Sequence, residues 1–289
     1  MDRAVGACAR MYLTRVDLTG FEDLQRRLMA VPAKYYIKNS RDPANKGQMH
    51  VGWTSMPGPQ TQAVCGVQMP YLSSSYRYLA ATKPGLLRDL QAVLDGVWAR
   101  ALRVFPLEAA AMMKTSACFR LGDTGFHKVS SGTNLAALWH TDDANLANSI
   151  QCVLVLGTFE GGEVRFDPAG RVGRNRSATT TSRGREDDVV VVPNEHGTLF
   201  IGHYESVWHS VNAVTGGDRT IVAAYATNAV KNFDDAIRGR YSFEQADELR
   251  RHRVAAVKRI AAAYPRDKAT RGRIRGHFIA EWRASDSSP

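Results

Sequence analysis

The sequence predicts an α+β protein whose middle part is a compact β core, and three observations carry that prediction. From residue 117 to residue 230, short apolar segments broken by Gly and Pro recur at close intervals, the pattern of a sandwich or barrel. Before them, Leu86, Leu90, Val93, Leu94, Val97, Ala101 and Phe105 repeat at three and four residues, the stripe of a helix that needs a sheet to lie on. After them, residues 231–289 hold fourteen Lys and Arg against eight Asp and Glu, around one strong helical pattern. The expected organisation is a single domain with helical and loop support over 1–116, a core over 117–230, and a basic helical extension over 231–289.

In order, Phe21 to Val31 reads as a short helix with Leu24, Leu28 and Val31 on one face, ended by Pro32. Residues 33–75 hold Asp42-Pro43, Asn45-Lys46-Gly47 and Pro57-Gly58-Pro59, a density of breakers that predicts a surface loop region. Tyr35, Tyr36, Lys38, Arg41, Lys46 and Trp53 interleave aromatic and basic character there; that suits stacking on a nucleic-acid strand, and it equally suits packing on the core. Pro84 to Phe105 is the strongest helix of the first half, stopped by Pro106. Ala117 to Asn134 reads as strand, turn and strand around Gly122, Gly125 and Gly132.

Core strands are expected at Ile150–Leu156, Glu163–Phe166, Asp188–Val192, Thr198–Ile201, Ser206–Val211 and Arg219–Ala226. Cys152 to Leu156 and Val189 to Val192 are apolar on both faces, which predicts central positions covered on each side. Gly161-Gly162 predicts a tight hairpin between two core strands. The segment Ala169 to Arg185, with Arg171, Arg174, Arg176, Arg183 and Arg185 among Ser, Thr and Gly, predicts a long loop near the mouth of any site, suited to a phosphate backbone or simply solvated. Ser242 with Gln245 forms a capping box that opens the last helix, and Leu249, Val257, Ile260 and Tyr264 are its apolar stripe before Pro265.

An apolar fraction of 44% and a charged fraction of 23% are those of a folded globular chain. A net charge of +10 points to a polyanionic partner, nucleic acid above all, although Arg-rich solvated surfaces have the same composition. Cys8, Cys65, Cys118 and Cys152 show no Cys-x-x-Cys spacing, so neither a disulfide framework nor a thiolate zinc site is indicated, and a reducing compartment is expected. No apolar run suits a signal peptide or a membrane span, which predicts a nuclear or cytoplasmic protein with no membrane partner.

The candidate site begins with His140-Thr141-Asp142. A histidine followed two residues later by a carboxylate arises about 0.8 times by chance in this composition, and the chain has a second such pair, His203-Tyr204-Glu205. Their downstream contexts separate them. After the first pair the β-rich core runs 69 positions to His209, on a short apolar strand, and ten further to Arg219 at the head of another. After His203 the next histidine is only six residues away and the one after it, His252, lies in an expected basic helix, so only the first set gives two strand-borne ligands and a buried cation. Two imidazoles and one carboxylate bind ferrous iron on one face and leave the other open. Arg219 is a permanently charged fork able to grip a carboxylate, and an unliganded arginine on a buried strand would cost several kcal/mol.

This set, in this strand order, resembles the iron(II)- and 2-oxoglutarate-dependent dioxygenases. The resemblance implies a double-stranded β-helix (jelly-roll) core, Fe(II) held by His140, Asp142 and His209 as the catalytic group, and 2-oxoglutarate held by Arg219. One position departs: many relatives carry Ser or Thr two residues after the arginine, and here stands Ile221, so a different co-substrate stays open. Leu156-Gly157-Thr158-Phe159-Glu160-Gly161-Gly162-Glu163 and Trp208-His209-Ser210-Val211 are similar to the ten-eleven-translocation and J-binding-protein branch. That similarity implies oxidation of a nucleobase methyl group, with 5-methylcytosine in DNA as the leading substrate. It also makes Asn145, with its neighbour Asp143, the candidate for substrate contact, since an amide offers both donor and acceptor to a pyrimidine edge. Hydroxylation of a protein side chain or small molecule on the same fold, and a non-catalytic nucleic-acid module on a β-sandwich, are the alternatives.

Overall fold

The computed structural model describes residues 3–5, 8–38, 42–44, 46–54, 63–65, 67–115, 117–167, 189–263 and 267–287. The Arg-rich segment 169–185, Arg41, Pro57-Gly58-Pro59 and Tyr264-Pro265 lie outside them. The chain forms two compact units, Met1–Gly52 with Leu72–Asn228, and Trp53–Tyr71 with Ala229–Pro289, so residues 53–71 group with the C-terminal helices.

The first part contains strands β1 (Arg3–Val5), β2 (Cys8–Arg15), β3 (Tyr36–Lys38), β4 (Gly47–Thr54), β5 (Ala63–Val64), β6 (Val67–Gln68) and β7 (Tyr71–Leu72), and helices α1 (Leu24–Met29), α2 (Ser74–Thr82), α3 (Pro84–Val104) and α4 (Pro106–Lys114). The second contains β8 (Lys128–Thr133), β9 (Ala137–His140), β10 (Gln151–Leu156), β11 (Phe159–Gly161), β12 (Val164–Asp167), β13 (Val190–Val192), β14 (Thr198–Gly202), β15 (Trp208–Val211), β16 (Val214–Gly217) and β17 (Thr220–Tyr225), then α5 (Asn228–Ile237), α6 (Phe243–Ala263) and α7 (Lys268–Ser287).

A large sheet runs β1-β2-β14-β10-β17-β8-β4-β3, and a smaller one runs β13-β12-β15-β9. All their pairings described are antiparallel, and the chain alternates between the two sheets, as in the expected double-stranded β-helix. The period of two explains the large sheet. On β10, Cys152, Leu154 and Leu156 point into one apolar cluster with Leu90, Val93, Leu94 and Val97 of α3, while Val155 joins a second cluster with Phe166, Phe200 and Tyr204. The α3 stripe is buried as its spacing predicts, with Trp98 added. Pro106 ends α3 and also opens α4 at its first position, where its missing N–H costs nothing.

Several expectations are corrected. Residues 8–15, in a stretch read only for its helix, form β2; Arg10 and Arg15 mask an alternation in which Met11 and Leu13 face the second cluster and Tyr12 the first. The described residues of 33–75 are not a loop region: β4 is eight residues long and its Met49 and Val51 are buried beside β8. Within 117–134 only β8 is a strand, preceded by a 3₁₀ turn. Val190–Val192 is an edge strand rather than a central one, and Val191 is 53% exposed. Gly161-Gly162 does not make a hairpin: β11 pairs with β16 and β12 with β13 and β15, so the two glycines carry the chain from one sheet to another.

In the second unit the Ser242 capping box forms as read, with Gln245 N donating to Ser242 Oγ at 3.2 Å and Ser242 N to Gln245 Oε1 at 2.8 Å. Its buried positions on α6 are Ala246 and Arg253, while Leu249, Val257 and Ile260 are half-buried; Arg253 donates to the Ala63 carbonyl at 2.8 Å. Trp53 packs edge-on against Phe243, so this aromatic serves packing. In the first unit Tyr35 stacks on Tyr78 and Tyr36 bonds the Leu28 carbonyl, with the same consequence.

Candidate metal centre

Strands β9 and β15 pair with His140 directly opposite His209, a register that brings two imidazoles 69 positions apart to a ring separation of 4.2 Å. The chain then turns so that Asp142 N donates to the Tyr204 carbonyl at 2.9 Å, and Asp142 Oδ1 lies 3.6 Å from His140 Nε2. One donor atom from each of His140, Asp142 and His209 lies within 4.8 Å of the others, the one such group among the described residues.

The ring orientation is fixed by the backbone. His140 Nδ1 meets the Leu138 carbonyl at 2.6 Å, and His209 Nδ1 meets the Val207 carbonyl at 2.9 Å. A carbonyl only accepts, so each Nδ1 carries a proton, and in the neutral ring Nε2 is then the nitrogen that offers a lone pair to a metal. The edge of the His209 ring packs on Tyr204 at 4.8 Å. Burial and the charge of Asp142 hold the Tyr204 phenol well above its ordinary value, so it stays neutral beside the donors. Two imidazoles and a carboxylate fit iron(II).

The triad faces a cavity of about 410 Å³ between the sheets. Arg219 also lines it and is 2% exposed. Its guanidinium donates to the carbonyls of Gly162 and Leu135, its Nε has no partner among the described residues, and burial draws its pKa down to about 10 against the opposing pull of Glu163. A buried cation hydrogen-bonded to carbonyls, over the Phe159 ring and with Glu163 acting on it only through space, fits a carboxylate arriving from the cavity, as 2-oxoglutarate would supply. Gly162 is what allows that position: it sits at φ +72°, and a Cβ there would lie 2.6 Å from Arg219 Nη1.

Asn145 is buried on the cavity wall; its backbone bridges Thr227 and its amide nitrogen donates to Gln151 Oε1. Asp143 is exposed and outside the cavity lining, with its carbonyl accepting from Asn228. His203 does not converge on the triad. Its ring lies between Glu205 at 3.5 Å and Glu108 at 3.9 Å, edge-on to Phe105.

Sequence reasoning missed Asn134 and Asn194, which seat Arg219. Asn134 Oδ1 accepts from Arg219 N at 2.7 Å, and Asn194 Nδ2 donates to the same Gly162 carbonyl that Arg219 holds. It also missed Gln48, Lys128, Ser130, Gln151 and Tyr225 on the cavity floor. Part of the signal was available: Lys128 and Ser130 are two apart on β8, and Tyr225 continues the alternation of Ile221 and Ala223 on β17, all on the cavity face.

No family model matches the chain, and no curated protein matches it. Among solved structures it is similar to NgTET1 in complex with 5mC DNA, at 11% identity and a TM-score of 0.49 over 78% of this chain and 74% of that one. It is also similar to a 2OG-Fe(II) oxygenase family oxidoreductase from Burkholderia pseudomallei, at 15% identity and 0.39 over 73% and 81%. A third is a prolyl-4-hydroxylase from Pseudomonas putida, at 13% identity and 0.37 over 78% and 95%. At 11–15% identity the likeness is one of fold.

Proposed function

We propose that the chain is an iron(II)- and 2-oxoglutarate-dependent dioxygenase that oxidises a methyl group on a nucleobase, 5-methylcytosine in DNA above all. The observation that carries the reading is the presence, in one cavity, of donor atoms of two histidines and Asp142 within 4.8 Å of one another and of a buried arginine whose Nε has no hydrogen-bond partner among the described residues. Iron(II) with 2-oxoglutarate, when bound, supplies an oxidant strong enough to take hydrogen from an unactivated methyl group. The protein's part is to hold and exclude. His140, Asp142 and His209 hold the ion, and Arg219 holds the far carboxylate. Val153, Val155, Val164 and Val211 keep the cavity wall apolar around them.

The nucleobase is supported by the net charge of +10, by the Leu156 to Glu163 sequence, and by Asn145 and Gln151, which place amide groups on the cavity wall. A base stacked in a duplex cannot reach a cavity between two sheets, so the substrate is a flipped or single-stranded nucleotide. Incubation with iron(II), 2-oxoglutarate and 5-methylcytosine DNA, followed by nucleoside mass spectrometry, is expected to give an oxidised base that His140→Ala abolishes. Succinate release with a peptide or small molecule, and none stimulated by methylated DNA, would replace the substrate assignment.

A further inference from the structure

Besides Arg219 the cavity is lined by two lysines, Lys38 and Lys128, and Lys128 pairs with the end of β17 far from Arg219. Lys128 and Tyr225 face each other in the β8–β17 register and both line the cavity, with the Lys128 ammonium 5.4 Å from the Tyr225 ring centre. Burial alone draws the Lys128 pKa down to about 8, and among the described residues no carboxylate pairs with it. Arg219 directly precedes β17 and Tyr225 ends it, so their backbones stand about 20 Å apart, six residues at about 3.3 Å each. A five-carbon diacid, with four C–C bonds of about 1.5 Å, spans about 6 Å. One such molecule reaching from Arg219 to the metal donors does not also occupy Lys128.

The floor beside Lys128 is organised to donate. Gln48 Nε2 lies 3.4 Å from His50 Nε2, and an amide nitrogen only donates, so that ring nitrogen accepts. His50 is neutral, its pKa drawn down to about 4 by burial and by Lys128. Its Nδ1 therefore carries the proton and gives it to Ser130 Oγ at 2.7 Å, and Ser130 in turn lies 2.8 Å from the Tyr225 hydroxyl. With His50 donating, Ser130 keeps its own hydrogen for the Tyr225 hydroxyl, and in that arrangement the phenol is a donor on the cavity side. An ammonium and a phenol supported in this way want an oxyanion.

We propose that Lys128 and Tyr225 form a seat for an oxyanion of the substrate, distinct from the Arg219 seat and on the other side of the metal donors. Resting on the nucleobase reading for the identity of the substrate, that oxyanion is the phosphate of the target nucleotide. Asn145 stands at this same end, its backbone bridging Thr227 two residues beyond Tyr225, so base and phosphate contacts lie together.

The test titrates the full chain, at fixed moderate salt, with methyl phosphate, 5-methyl-dCMP, 5-methyldeoxycytidine and 2-oxoglutarate by calorimetry. Lys128→Gln is expected to weaken methyl phosphate and 5-methyl-dCMP by about tenfold or more, leaving 2-oxoglutarate unchanged, and Tyr225→Phe to weaken them less. Lys34→Gln, an exposed position away from the cavity with the same loss of charge, is expected to change nothing. If the phosphates bind Lys128→Gln as they bind the unaltered chain, or do not bind the unaltered chain, the seat is overturned. It is overturned too if 2-oxoglutarate affinity falls in Lys128→Gln. If methyl phosphate binding depends on Lys128 while 5-methyl-dCMP binds no tighter than methyl phosphate, the seat stands and the nucleobase reading fails.

Discussion

Two His-x-carboxylate pairs occur in this chain, and their structural fates are opposite. His140-Thr141-Asp142 follows from β9, the strand beside β15 at the end of the smaller sheet, with the His140 Nδ1 tied to the carbonyl two residues back, its Nε2 3.6 Å from Asp142 Oδ1 and its ring against a second imidazole. His203-Tyr204-Glu205 comes directly after β14, and its imidazole has carboxylates near both nitrogens and Phe105 at its edge. The spacing is identical; the difference is which ring nitrogen the fold ties down. A backbone carbonyl on Nδ1 leaves Nε2 to face a metal together with Asp142 and His209, whereas both His203 nitrogens face carboxylates and no second imidazole joins them in a donor group among the described residues.

The largest expected effect breaks the comparison directly. His209→Ala or Asp142→Ala is expected to weaken manganese(II) or iron(II) binding by about a hundredfold or more, and His203→Ala to leave it unchanged, as read by calorimetry and metal analysis. Equal losses from His203→Ala and His209→Ala would end the distinction. Next, Arg219→Met is expected to weaken 2-oxoglutarate by about a hundredfold with metal binding kept, because it removes the buried cation and leaves the triad untouched.

A third kind of histidine sharpens the point. His127 Nδ1 accepts from Thr227 N at 3.1 Å and is buried, so the ring is neutral and its pKa is drawn down from 6.5 to about 4. Between those values the unfolded chain binds more protons, so stability rises with pH through the window and is lost as pH falls from about 6.5 toward 4. The loss approaches about 3 kcal/mol at its acid limit. Urea unfolding at pH 7 and pH 4.5 should show a pH-dependent loss that is smaller in His127→Gln. The smallest effect is at Gly162. Gly162→Ala, at φ +72° and against Arg219 Nη1, is expected to weaken 2-oxoglutarate about tenfold and to lower stability by about 1 kcal/mol. Retained affinity in the alanine variant would show that the guanidinium can shift without loss.

How far the sequence reaches can be judged from particular residues. The α3 stripe, the Ser242 capping box and the strands β10, β15 and β17 were legible because each is declared by local periodicity or local hydrogen-bond chemistry. The strands β2 and β4 were not, because charged or breaker residues on one face hid a buried alternation on the other. Val190 to Val192 misled for a related reason: an apolar run declares β propensity, and only its neighbours decide whether the strand is central or at an edge.

The sequence by itself determined the donor types and their order, His140, Asp142, His209 and then Arg219, and the excess of positive charge. Tertiary structure decided what those groups face. The cross-strand register sets His209 opposite His140, the Gly161-Gly162 crossing lets Arg219 reach the Gly162 carbonyl, and the strand pairing of β8 with β17 puts Lys128 beside Tyr225. The physical reason is range. Periodicity and capping act over a few residues, whereas the metal donor set and the cation seats depend on contacts between residues 57 to 97 positions apart, whose alignment depends on the packing of both sheets at once.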